Sequence, residues 1–257
     1  MLEVNNLSVY YKKHRALHNI SGCFQAGSMT AIIGPNGGGK STLLKALAGL
    51  VPVATGHILY HGISRKNIAY LPQLSEVDRS FPLSVHEVVA LGHCHQQGFF
   101  RHISPSLRQK VDEALSNTGM AAFKERGLDT LSGGQFQRVL FARLAVQQAD
   151  ILLLDEPFAG IDPQTIEDLM QILLQWNQTG KTIIMVSHDL DLVHAYFPQT
   201  LLLTQRCLGW GATAEIVTNE NIRTAKHLSR NWEDCIVYDG IVYDGVAGEA
   251  CSLSAIM

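Results

Sequence analysis

Gly34-Pro35-Asn36-Gly37-Gly38-Gly39-Lys40-Ser41-Thr42 is the stretch on which the fold turns. It fits the pattern G-x-x-x-x-G-K-[ST], whose glycines let the backbone wrap closely round phosphates with its N–H groups pointing inward. Lys40 adds positive charge at the β- and γ-phosphates, and the Ser41 hydroxyl can ligate Mg²⁺. An apolar run, 30–33, enters the loop as a strand, and Leu43, Leu44 and Leu47 leave it at helical spacing that ends at Gly49. The helix presents its positive end to the same anion. The competing reading is a plain glycine-rich turn, which would not need this strand and helix on either side.

On the N-terminal side, LEVNNLSVYY and ALHNISGCF carry the alternation of a half-exposed antiparallel sheet, and HILYHG and IAYLP follow the helix as further strands. From about residue 82 to 148 the chain reads as helical. Ser84-Val85-His86-Glu87 fits a capping box opening a helix to Gly92. Ser104-Pro105 fits an N-cap with proline at the first helical position, followed by Leu107, Val111 and Leu115 and a stop at Gly119. ILLLD, TIIMVSH and TLLLT are then apolar throughout, as strands buried on both faces of a parallel sheet are. Ile166, Leu169, Ile172 and Leu173 supply one face of a helix between the first two. These patterns predict a doubly wound α/β core interrupted by a helical insertion. Near the end IVYDG occurs twice in tandem, at 236–240 and 241–245, as a hairpin or a repeated tail.

With 257 residues, 46% hydrophobic and a formal charge of −3, the composition excludes disordered, collagenous and small disulfide-rich classes. The mild acidity and the lack of a Lys/Arg block argue against a nucleic-acid partner. Five scattered cysteines without a CxxC pair suit a reducing compartment. The uncharged stretches 16–39 and 46–64 are broken by Gly, His and Pro, so neither reads as a membrane helix. MLEVNNLSVYYKK reads as a strand and not as a secretory signal.

Two further constellations bear on chemistry. The run Ile151-Leu152-Leu153-Leu154 delivers Asp155 to the carboxyl end of a strand, where open α/β sheets place their ligands. There Asp155 can hold Mg²⁺ and Glu156 can polarise an attacking water; without the glycine loop the pair would read as solvated carboxylates. Leu131-Ser132-Gly133-Gly134-Gln135 opens a helix carrying Val139, Leu140, Arg143 and Leu144, a second anion-binding N-terminus or, taken alone, a capping loop.

Taken in order, the glycine loop (Walker A), LSGGQ and LLLLDE (Walker B) resemble the nucleotide-binding subunits of ATP-binding cassette (ABC) transporters. Lys40, Ser132, Asp155 and His188 of VSHD follow at the intervals of one complete cassette. Gln73 in YLPQ resembles the Q-loop, Ala159-Gly160-Ile161-Asp162 the D-loop, and Tyr11 the aromatic residue that stacks on adenine. Gly38 stands where Ala or Ser is commoner, a change expected to be harmless. The resemblance covers about residues 1–225 and leaves 226–257 unread. It implies a P-loop NTPase core with an antiparallel β subdomain and an inserted α-helical subdomain at about 82–148. It further implies that ATP, with Mg²⁺ at Ser41, Gln73 and Asp155, lies between two copies paired head to tail. The nucleotide would lie between Lys40 of one copy and Ser132, Gly133 and Gly134 of the other, and the implied nucleotide-binding residues are Tyr11, Gly34 to Thr42, Ser132, Gly133, Gly134, Gln135 and Asp162. Glu156, His188 and Gln73 are the implied catalytic residues.

The segment 78–92 (DRSFPLSVHEVVALG), the run 156–162 (EPFAGID) and the stretch 214–222 (AEIVTNENI) resemble the zinc and manganese import subfamily. That likeness implies a separate integral-membrane permease, an extracytoplasmic metal-binding protein, and a place on the cytoplasmic face of the cell membrane. The alternatives are an iron-siderophore or haem importer subunit, or a soluble ABC ATPase outside transport. His93 and His95 are two apart and do not share a helix face, so His93-Cys94-His95 is expected to be solvated or capping. Nothing in the spacing of His227 and Cys235 demands a metal.

Overall fold

The computed structural model describes residues 1–93 and 104–232 and the strands at 235–238 and 241–244. Strands β1 (Leu2–Tyr11) and β2 (His14–Phe24) form an antiparallel hairpin in which Leu2, Val4, Leu7, Val9, Leu17, Ile20 and Phe24 are buried. β3 (Met29–Ile33) leads through the glycine loop into α1 (Lys40–Leu47), and Gly49 just beyond that helix adopts φ +73°. A left-handed residue at this position costs a glycine little, which is why the helix stops there. β4 (Thr55–Leu59) returns to pair with β1, giving a three-stranded antiparallel sheet in the order β2-β1-β4.

β5 (Ile68–Leu71) precedes the helical region of α2 (Val85–Ala90), α3 (Pro105–Asn117) and α4 (Gly133–Gln147). Ser84 and Glu87 form the expected capping box, and Ser104 caps α3 with Pro105 in its first turn. α2 stops at Ala90, and a 3₁₀ turn carries the chain on to His93, so the α-helix is shorter than the run to Gly92 predicts. Gly119 adopts φ +71° just after the C-cap of α3, as its position in the sequence implies.

The chain then alternates through β6 (Ile151–Asp155), α5 (Pro163–Gln178), β7 (Thr182–Val186), α6 (Leu190–Tyr196), β8 (Gln199–Leu203) and β9 (Cys207–Ala212). The main sheet runs β5-β6-β7-β3-β8-β9, parallel except for β9. Every residue of β3, β6 and β7 is buried, which explains runs with no polar alternation.

The two faces of this sheet feed different cores. Ala31, Ile33, Leu152, Leu154, Ile183 and Met185 pack with the helical region, while Ile32, Leu153, Ile184 and Val186 pack with α1 and the antiparallel sheet. In the first core Phe141 of α4 stacks between Phe158 and Trp176, with ring centroids 6.1 and 6.0 Å away. Arg138 joins α4 to α5 through Asp168 at 2.5 Å and to the end of α3 through the Thr118 carbonyl.

Beyond β9, α7 (Thr213–Ile216) and α8 (Asn219–Trp232) close the described core, with Ala225 buried. α8 therefore runs through the position expected to end the cassette. β10 (Cys235–Tyr238) and β11 (Ile241–Asp244) pair antiparallel, which agrees with the hairpin reading of the two tandem segments over the strands described. Among the described residues no helix is long and apolar enough to cross a membrane.

Candidate ATP-binding and hydrolysis site

The glycine loop closes on its own lysine. Lys40 is buried, and its Nζ donates to the carbonyls of Gly34 at 3.0 Å and Pro35 at 2.9 Å. Burial pulls the Lys40 pKa down, and the nearby Glu156 and Asp155 carboxylates oppose that shift. Gly39 at φ +88° caps α1 without a side chain, and a Cβ there would lie 2.5 Å from the Ala16 carbonyl oxygen. The loop is held from behind as well, because Gln205 N–H donates to the Gly38 carbonyl at 2.7 Å. At Gly38 a Cβ would come within 2.8 Å of the Leu203 oxygen, so glycine suits the close backbone approach in this chain.

Asp155 is wholly buried at the end of β6 and receives a hydroxyl on each oxygen. Ser41 Oγ donates to Oδ1 at 3.0 Å, and Tyr70 Oη donates to Oδ2 at 3.1 Å. Burial raises the Asp155 pKa, and the two hydroxyl donors and Lys45 only partly counter it. Burial and the Asp155 carboxylate push the Tyr70 pKa far upward, so its phenol remains a donor. Carboxylate and hydroxyl oxygens are the donor set of a hard divalent cation, and a buried carboxylate that among the described residues has no basic side chain bonded to it fits Mg²⁺.

Glu156 follows directly, with φ +47°, a left-handed conformation that costs a side-chain-bearing residue on the order of 1 kcal/mol. Its N–H bonds to the Val186 carbonyl at 3.2 Å, and its carboxylate contacts His188 Nε2. Glu156 also lines an open cavity of about 470 Å³ together with Gln73, Val77, Arg79 and Ala159. Lys40, Ser41, Asp155, Glu156, His188 and Gln73 are thus brought to one end of the parallel sheet.

Other predicted site residues lie elsewhere. Ser132 and Gln135 bond reciprocally, with Gln135 N–H donating to Ser132 Oγ at 3.2 Å and Ser132 N–H to Gln135 Oε1 at 3.0 Å. The Gln135 amide oxygen is therefore engaged in capping α4. Gly133 and Gly134 abut Ile161, Asp162 and Thr165, and Asp162 Oδ1 accepts from Thr165 N–H at 2.9 Å as the N-cap of α5. Tyr11 is 45% exposed, opposite His14 at the tip of the hairpin. Among the described residues no group of three His, Cys, Asp or Glu is placed to hold a metal ion. Cys94 and His95 lie outside the described residues. Tyr70 is the site residue that sequence reading missed; its signal is a polar tip in an apolar strand just before Gln73.

A nucleotide loop on β3, a buried acidic strand end on β6, an inserted helical region and a capped SGG turn together define an ATP-binding cassette. The chain belongs to the ABC transporter family, whose model matches residues 17–159, and it is an ATPase of that family. It is similar to the manganese transport system ATP-binding protein MntB of Halalkalibacterium halodurans, 40% identical over 86% of this chain and 90% of that one. It is also similar to the zinc transport system ATP-binding protein TroB of Treponema pallidum, 39% identical over 87% of this chain and 86% of the other. Among solved structures, cbiO1 of Clostridium perfringens, part of the ABC transporter complex cbiONQ, superposes with a TM-score of 0.72 at 29% identity, covering 90% and 98% of the two chains. The dimeric post-hydrolysis cassette MJ0796, bound to ADP and Pi, does so with a TM-score of 0.73 at 26% identity, covering 83% and 99%.

Proposed function

We propose that this chain is the ATP-hydrolysing subunit of an importer for a divalent metal ion, manganese or zinc, working on a separate membrane permease at the cytoplasmic face. The observation that carries the ATPase assignment of residues is the convergence of Lys40, Ser41, Asp155, Glu156 and His188 after β3, β6 and β7. The likeness to MntB and TroB supports the cargo.

The glycine loop, residues 34–42, and the Lys40 ammonium hold the β- and γ-phosphates, and the exposed Tyr11 ring stacks on adenine. Ser41, Asp155 and Gln73 would hold Mg²⁺, which neutralises charge on the phosphate oxygens. Glu156 orients a water and accepts its proton, while His188, in contact with that carboxylate, holds it towards the γ-phosphate. Positioning and electrostatics supply most of the rate.

Ser132, Gly133 and Gly134 sit at the positive end of α4 and serve the nucleotide of a second copy. The dimeric cassette MJ0796, bound to ADP and Pi, supports the pairing of two copies. Gln135 and Asp162 shape that surface by capping α4 and α5. An extracytoplasmic metal-binding protein would deliver the ion to the permease, and no nucleic acid takes part.

Uptake of radiolabelled manganese and zinc by a deletion strain tests the reading. One of the two should be lost, restored by the wild-type chain and not by Glu156→Gln. Unchanged uptake of both ions would overturn the cargo assignment.

A further inference from the structure

β5 reads Ile68-Ala69-Tyr70-Leu71, and the Tyr70 hydroxyl is its single polar side-chain group. Tyr70 stands opposite Leu153 on β6. Side chains alternate along a strand, so Asp155, two positions beyond Leu153, shares the face of Tyr70 and is its diagonal neighbour. The hydrogen bond of 3.1 Å follows from that register. With Ser41 on the other oxygen, the Asp155 carboxylate is gripped from both sides and cannot turn about its Cβ–Cγ bond without breaking a contact.

β5 ends at Leu71 and the chain runs directly on to Gln73, three residues after Tyr70. Three residues past Gln73, Glu76 receives Lys45 of α1 at 2.9 and 3.2 Å. Gln73 is thus bracketed by two ties, one to the buried carboxylate on β6 and one to the helix that leaves the glycine loop.

We propose that Tyr70 is a positioning residue whose hydroxyl sets the plane of the Asp155 carboxylate for the divalent cation that accompanies ATP, and joins that carboxylate to the strand delivering Gln73. This rests on the reading of Asp155 as a cation-holding residue given above. Removing a hydrogen-bond donor that orients a cation-holding carboxylate changes cation affinity by about tenfold or more, because the ligand then has to be ordered by the cation itself. A hydroxyl kept only for packing, or only to satisfy a buried acceptor, would affect folding and leave cation affinity alone.

The test measures the Mn²⁺ affinity of the full chain loaded with a non-hydrolysable ATP analogue, with protein in excess, from the free-ion electron paramagnetic resonance signal. Tyr70→Phe keeps the ring and should weaken Mn²⁺ binding by about tenfold while cation-free nucleotide affinity stays within about twofold. Tyr70→Leu, which also loses the ring, should weaken Mn²⁺ binding equally while melting at a lower temperature. Asp155→Asn separates the two readings. If it weakens Mn²⁺ binding and neither Tyr70 variant does, the Tyr70 role is wrong and the Asp155 assignment stands. If Asp155→Asn binds Mn²⁺ as the wild type does, the Asp155 assignment fails and takes this inference with it.

Discussion

Ser41 Oγ lies 3.0 Å from Asp155 Oδ1, joining the first turn of α1 to the end of β6 across 114 positions of sequence. β3, which leads into α1, is not a neighbour of β6, because β7 lies between them. The first turn of α1 therefore reaches past the end of β7 to bring its hydroxyl to a carboxylate two strands away. Removing Lys40 from the loop beside this contact should weaken nucleotide binding selectively. Lys40→Ala is expected to cost about 2 kcal/mol of ATP affinity, roughly 30-fold, since a charge-assisted contact is lost. Titration with a fluorescent ATP analogue reads this directly.

The Glu156 carboxylate touches His188 and borders the cavity that Gln73 also lines. Glu156→Gln should bind ATP within about twofold of wild type and lose on the order of 10²–10⁴ in turnover, the range for removing a general base. Single-turnover hydrolysis in the assembled complex is the measurement. Wild-type turnover in that variant would sink the assignment.

At Asp155 burial outweighs the hydrogen bonds, so folding raises its pKa above the usual carboxylate value. The sign for stability is unfavourable. The cost is fully present above the raised pKa and disappears as pH falls to the unfolded value. Asp155→Asn should accordingly raise the melting temperature of nucleotide-free protein at pH 7.5 while removing Mg²⁺-dependent ATP turnover. Calorimetry of both proteins at pH 7.5 and at mildly acid pH should show the gap narrowing as pH drops.

The capping box of α2 is an exposed device away from the nucleotide. Ser84→Ala should lower stability by about 1 kcal/mol, measured by urea denaturation at pH 7. Glu87, the other half of the box, has a pKa lowered by the Ser84 backbone and side-chain donors. Its contribution is present above the ordinary carboxylate pKa and lost as pH falls through the lowered one. The difference between Ser84→Ala and wild type should shrink at pH 3.

Phe141 is fully buried between Phe158 and Trp176, so it joins the helical region to the segment that follows Glu156. Phe141→Ala should cost about 3–5 kcal/mol through lost transfer energy and a residual cavity. Denaturant midpoints give the value, and a loss below about 1 kcal/mol would show that this contact is not part of a rigid core.

Much of the fold was legible because its signals are local. Residues 151–154 and 182–186 read as buried strands from their unbroken apolar character, and Ser84, Ser104 and Ser132 marked helix starts through capping chemistry that spans three or four residues. The end of α2 was less legible, because Val88, Val89 and Ala90 favour burial in either helical form and tertiary packing decides where the α-helix gives way to a 3₁₀ turn. At the site, Lys40, Asp155, Glu156 and His188 stood out by motif. Tyr70 did not, because a tyrosine in an apolar strand reads as core until the neighbouring strand and its register are known. Gln135 and Asp162 stood out as nucleotide contacts, yet within this chain their side chains cap helices.

The sequence by itself determined the elements and the chemical inventory: a glycine loop between strand and helix, two adjacent acids after a buried strand, and caps at the helix starts. Those follow from sterics and hydrogen bonding between residues within a turn or two of each other. Only the tertiary structure decided that β6 lies two strands from β3, that Ser41 and Tyr70 grip opposite oxygens of Asp155, and that Gly133 and Gly134 pack beside Asp162. Strand order and register come from matching whole apolar faces across the sheet, a property of distant segments together that no local window of sequence contains.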